Sequence, residues 1–279
     1  MDLGGGGGPT SVAASWPTGH LLSVSVYSPR DEAVAAGDSI AFMSDSVTPA
    51  PATAVLRTLD DPDYRAGVVD LLSVIAYGEL SGAFATVDDA SRAPRLDHKL
   101  ALARMARMDF DHYEELAARL REIGAEPESS MEPFTAAIDE WHRRTPPADW
   151  YEGLMKAYAG SAIANDFYAE IARYVDPETR ALVERAVGAD EQDAFVKRVL
   201  AEAIAQDPRV GSRLALWGRR LVGEALSQAQ RVAASHDALT ALLVDDGSGV
   251  GADLAELTRM FERLTTNHSE RMQALGLTA

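Results

Sequence analysis

Cysteine is absent from the 279 residues. That removes disulfide scaffolds, thiolate zinc sites, iron–sulfur clusters and cysteine nucleophiles from consideration. Aromatic residues are scarce, at 7%. Basic residues are in deficit: 26 Lys and Arg stand against 43 Asp and Glu, a formal net charge of −17. A surface of that sign repels polyphosphate, which argues against nonspecific binding to nucleic acid. The first basic residue is Arg30, so no positively charged start with an apolar core is visible, and no secretory leader is expected. Uniform apolar runs are missing as well. The most apolar stretch, 66–87, contains Asp70 and Glu79 and shows a single helical face. It reads as a buried core helix and not as a membrane span. A cytoplasmic protein is the simplest expectation. The apolar fraction of 47% is ordinary for a folded chain and excludes wholesale disorder.

The first 55 residues differ from the rest. They hold seven glycines, five of them consecutive at Gly4–Gly8, and prolines at 9, 17, 29, 49 and 51. No apolar period persists there, so 1–57 reads as a disordered N-terminal extension and 58–279 as the folded domain. The glycine run is no phosphate loop, since no strand precedes it and no Lys-Ser/Thr follows. The extension carries one basic and five acidic residues. Most of the negative charge therefore belongs to the folded part.

From about residue 58 onward Ala, Leu, Glu and Arg dominate, with no alternating strand pattern. The pattern predicts six helices, over 62–90, 95–123, 148–174, 177–205, 208–243 and 252–275. Asp61-Pro62 suits a helix start, Gly124 a stop, and Asp176-Pro177 and Asp207-Pro208 mark further boundaries. Short links join the first pair and the second pair. A long stretch, 125–147, rich in proline and charge, lies between them as a crossover. Two antiparallel pairs with one long crossover is ferritin-like connectivity. The expected fold is all-α: a ferritin-like four-helix bundle with two additional C-terminal helices.

Acids interrupt the apolar stripes of these helices. Val68, Leu72, Ile75, Glu79 and Ala83 share one face of the first helix. Glu79 thus points at the core, where an unpaired carboxylate is costly. In the second helix Asp109 and His112, three apart, interrupt Leu102, Met105 and Leu116. Asp166 interrupts the third stripe, and Asp193, with Asp190 a turn earlier, the fourth. Asp190, Glu191 and Asp193 also read as a simple solvated face. One acid per helix plus an imidazole is the donor chemistry of two-iron or two-manganese centres. The candidate metal ligands are Glu79, Asp109, His112, Asp166, Asp190 and Asp193.

Other polar residues have blander readings. His268 reads as a core or interface histidine, and Glu224, after Arg219-Arg220, as half of a buried ion pair. Tyr77, Tyr113 and Tyr158 read as packing groups. His98, His142 and His236 are expected in loops or on polar faces.

The segments VVDLLSVIAYGELSGAF, ARMDFDHYEELAARL, WYEGLMKAYAGSAIANDFY and LALWGRRLVGEALSQAQRV resemble the actinobacterial ferritin-like proteins related to the tRNA hydroxylase MiaE. The resemblance covers about Asp61 to Leu275. It implies a non-haem di-iron hydroxylase that uses O2, takes electrons from a reductase and acts on a modified tRNA. It places Glu79 as the first-helix ligand, Asp109 and His112 at the Glu-x-x-His positions, and Asp166 as the third-helix carboxylate. The fourth-helix Glu-x-x-His has no match. The acidic charge sits badly with tRNA as a partner, and a homodimer is a further expectation. The alternative is a degenerate ferritin-like bundle with an incomplete metal site, kept as a binding or scaffold protein.

Overall fold

A computed structural model of the chain describes residues 58–188, 191–244 and 252–279, side chains 191–193 and 254 excepted. The expected extension over 1–57 lies outside the described residues. These are helical throughout apart from their links, with one isolated parallel bridge between Val244 and Ala252.

Helix α1 (Pro62–Arg92) begins where the sequence indicates. Asp61 accepts from the backbone N–H of Asp63 at 3.0 Å, and Pro62 occupies the first turn, where its missing N–H costs nothing. Helix α2 (Leu96–Glu122) ends at Gly124, whose φ of 82° needs a residue without a Cβ. The two helices pack along their length. Val68, Leu71, Leu72 and Ala76 are fully buried, so the most apolar stretch is the centre of the bundle. By length and composition alone α1 also passes for a membrane span, but its apolar face is covered by α2, by α3 (Pro127–Arg144) and by α9 (Asp237–Leu243).

The crossover expected as an irregular link is itself a helix, α3 (Pro127–Arg144), packed on α1. Its prolines are compatible with a helix. Pro127 sits in the first turn, and Pro133 removes a single ladder bond. Met131, Phe134, Ile138 and Trp141, spaced three and four apart, supply the anchoring stripe, and Phe134 is wholly buried.

The expected third helix is interrupted by a π turn. Helix α4 (Trp150–Met155) runs into a π segment, Lys156–Gly160, and continues as α5 (Ser161–Ala172). The expected fourth helix is broken: α6 (Pro177–Val187) stops at Gly188, which is extended, and α7 spans Glu191–Gln206. The fifth is broken too. Helix α8 (Pro208–Ser235) ends at His236, and α9 turns back onto α1. Helix α10 (Leu254–Ala274) packs on α5.

The pairs α1–α2 and α5–α6, with α2 also against α6, form the bundle. The apolar interior falls into two clusters. One gathers Leu71, Ile75, Leu120, Phe134 and Val183. The other gathers Leu154, Met155, Leu200, Leu214 and Met272. The functional groups lie between them.

Candidate functional site

A cavity of about 760 Å3 is walled by residues of both clusters. Small residues make the room: Gly78, Gly82, Ala85, Gly160, Ala162 and Ala229 all face it. Three pairs or groups of polar residues stand in its wall.

The first spans α1 and α2. His112 Nδ1 lies 3.4 Å from Glu79 Oε2, and both side chains are largely buried. Burial pushes the Glu79 carboxyl above the usual carboxylate range, against the pull of His112. His112 is raised in turn, first by its hydrogen bond to Glu79. Glu79 and His112 therefore face one another in the core, as the two stripes indicate. Asp109 lies one turn before His112, where its Oδ2 accepts from Thr86 Oγ1 at 3.4 Å, and it adds to the field that raises His112. Tyr168, on α5, is pushed up by burial and by the Glu79 charge, so its phenol stays protonated.

The second joins α5 and α10. Arg271 grips both oxygens of Asp166, Nη1 to Oδ2 at 2.7 Å and Nη2 to Oδ1 at 2.5 Å. Asp166 does interrupt an apolar stripe and does face the cavity. Its charge is met by a guanidinium from a helix outside the bundle pairs. Stripe reading within one helix has no means of finding that partner.

The third surrounds Lys156, the first residue of the π segment. Its Nζ donates to Thr145 O at 2.9 Å and lies 4.5 Å from the centre of the Trp141 ring. Burial brings the ammonium down to about 8. Burial also lifts Asp89 to about 6 and brings His142, beside Lys156, down to about 4. None of these three was singled out from sequence. The available signal was Lys156 itself, the sole basic residue in WYEGLMKAYAGSAIANDFY.

Asp190 lies outside the described residues. Asp193 stands on α7, whose backbone alone is described at that position. Among the described residues no three of His, Asp and Glu come together as a metal-holding group. A two-metal carboxylate centre draws on four acids and two histidines. Here one histidine faces one acid, and the third-helix acid is bound to Arg271. The described donors alone do not fit such a centre.

The remaining polar residues are placed as follows. His268 is buried, as expected, and burial lowers it. Glu224 is paired with Arg144 at 3.5 Å and not with its neighbours Arg219 and Arg220, and it accepts from Gln228 at 2.6 Å. Tyr77 donates to Asp139 at 2.7 Å. Of the histidines expected in loops or on polar faces, His236 lies in the link between α8 and α9, as expected, while His98 and His142 stand on α2 and α3, and all three are engaged. His98 stacks on Trp150 with ring centres 5.7 Å apart, His236 stacks on Phe134 at 4.1 Å, and His142 lines the cavity.

No curated protein matches the chain. Residues 62–246, from the start of α1 to just beyond α9, match the family model described as the ferritin-like domain of actinomycetes, and the chain belongs to that family.

Proposed function

We propose that this ferritin-like bundle binds a small, largely apolar molecule in its interior, in place of a complete two-metal centre. The carrying observation is the cavity of about 760 Å3, a size suited to small organic ligands. Its wall is mostly apolar, and its charged groups are met by protein partners, Glu79 by His112 and Asp166 by Arg271. Such pairs orient a ligand through a few fixed contacts while the apolar wall supplies affinity.

A second reading is the di-iron hydroxylase of the MiaE type. Its support is the Glu79–His112 contact across two bundle helices with Asp109 a turn away. In that reading Glu79, Asp109 and His112 hold metal, Asp190 or Asp193 completes the set, and an external reductase supplies electrons. Bound iron would supply O2 activation. The net charge of −17 argues against tRNA as its substrate.

One preparation separates the two. The chain is purified from iron-supplemented medium, assayed for metal, and titrated with an apolar fluorescent dye. The binding reading expects little iron, saturable dye binding, and loss of that binding in Ala162→Trp with helicity unchanged. Two irons per chain, lost together in Glu79→Ala and His112→Ala, would overturn the binding reading and favour a di-iron centre, as the hydroxylase reading requires. A chain that takes up neither dye nor iron sinks both.

A further inference from the structure

The chain has three lysines, Lys99, Lys156 and Lys197, against 26 basic residues in all. Lys99 and Lys197 are exposed. Lys156 is only 7% exposed and belongs to the cavity wall. In a chain that otherwise uses arginine, the buried cation is the one type that is able to give up its proton. A buried guanidinium would remain charged at any ordinary pH.

The surroundings of Lys156 go beyond packing. It opens the π turn, and such turns are frequent at functional sites because they re-aim a side chain. Its hydrogen bond goes to a carbonyl, Thr145 O, and not to a carboxylate. The Asp89 carboxylate lies against the Cα of Gly153, one helical turn before Lys156, where any Cβ would strike it. Asp89 and Lys156 also both line a smaller pocket beside Pro146 and Pro147, so both residues border two pockets.

We propose that Lys156 is a carbonyl-binding amine that holds an aldehyde-bearing, largely apolar molecule in the cavity as an imine. The inference rests on the cavity being a ligand site. The Nζ lone pair adds to the carbonyl carbon, and one of the two protons then on the nitrogen passes to the carbonyl oxygen, which gives the carbinolamine. Asp89 then protonates the carbinolamine hydroxyl, which leaves as water. The C=N bond forms as the nitrogen returns its proton to the Asp89 carboxylate. No electrons are gained or lost. Asp88, Asp89 and Arg92 from α1 and Asp139 and His142 from α3 are the charged or titratable groups that set the local field. Burial supports the step by holding the ammonium at about 8, so a far larger share is the free amine near neutral pH than for an ordinary lysine.

The test treats the full chain with hexanal and cyanoborohydride near neutral pH and follows the mark by intact mass and peptide mapping. Cyanoborohydride reduces any imine to a stable secondary amine. Lys156 is expected to be marked at least about tenfold faster than Lys99 and Lys197. Lys156→Arg removes that mark alone, and Asp89→Asn slows it without changing the two exposed sites. A rate at Lys156 no greater than at the exposed lysines overturns the proposal, and an unchanged rate in Asp89→Asn overturns the role of Asp89. Displacement of the bound dye by 1-hexanol, which forms no imine, is measured in parallel. If 1-hexanol displaces the dye and Lys156 stays unmarked, the imine is wrong and the cavity reading stands. If neither occurs, both fall.

Discussion

Arg271, from α10, holds both carboxylate oxygens of Asp166 on α5, at 2.5 and 2.7 Å. The two side chains are 23% and 15% exposed, so the pair is largely desolvated. Removing one partner of such a pair strands the other charge. Arg271→Met is therefore expected to cost about 3 kcal/mol in urea unfolding. Adding Asp166→Asn should restore most of that loss. A double variant as unstable as the sum of the singles would show that the two side chains do not act as a pair.

The same contact bears on metal binding. With Arg271 gone, Asp166 is released toward a cavity that also holds Glu79, Asp109 and His112. Added Co2+ is expected to bind Arg271→Ala at least about tenfold more tightly than the unaltered chain, read from its visible absorption. If affinity is unchanged, the arginine is not what keeps this acid from a metal.

The Glu79–His112 contact has a spectroscopic signature. His112 is raised first by its hydrogen bond to Glu79 and also by that residue's charge. Glu79→Gln keeps a hydrogen-bonding group and removes the charge. The His112 titration followed by NMR should then move down, and Glu79→Gln should be at least as stable as the parent near neutral pH, because burial disfavours the ionised carboxyl. A His112 titration that stays in place would show that Glu79 does not govern it.

Much of the bundle was legible. Asp61-Pro62, Asp176-Pro177 and Asp207-Pro208 all start helices, each Asp side chain accepting from the first turn. The stripes also brought Glu79 and His112 together. What stayed hidden depends on contacts distant in sequence. The anchors Met131 and Phe134 outweigh two prolines in α3, and α9, beyond the break at His236, packs on α1. The partner of Asp166 comes from 105 residues away, so spacing carries no trace of it. Lys156 was missed because a single π turn of five residues is too short for its i→i+5 period to show in the sequence.

Helix α9 meets α1 at Gly67. A Cβ there would come 2.6 Å from Ala238 O and 2.7 Å from Leu242 Cγ. Gly67→Ala must part the two helices and should cost about 1–3 kcal/mol despite the better helix propensity of alanine. Gly223, in α8, has nothing within 4 Å of a built Cβ. Gly223→Ala should therefore stabilise by about 0.5–1 kcal/mol. Equal effects in thermal unfolding would mean that α9 does not press on α1 there.

His142 and Asp89 give opposite pH dependences from one corner of the cavity. Burial and the Lys156 charge lower His142 to about 4, so it binds a proton more weakly folded than unfolded. Its contribution is fully present above about pH 6.5 and is lost as pH falls toward about pH 4. Burial raises Asp89 to about 6, so it binds a proton more tightly when folded. Its contribution is fully present below about pH 3.9 and is lost as pH rises through about 6. Over the shared window the two slopes oppose and partly cancel. Asp89→Asn leaves the His142 slope, and relative to the parent its stability should fall by about 1–2 kcal/mol more on acidification from about pH 6.5 to 4.5. His142→Phe leaves the Asp89 slope, so relative to the parent its stability should rise over the same acidification by a similar amount. Urea unfolding of the three proteins at several pH values reads both differences directly, because titrations common to all three cancel. Parallel curves for parent and variants would mean that neither group is perturbed as its burial requires.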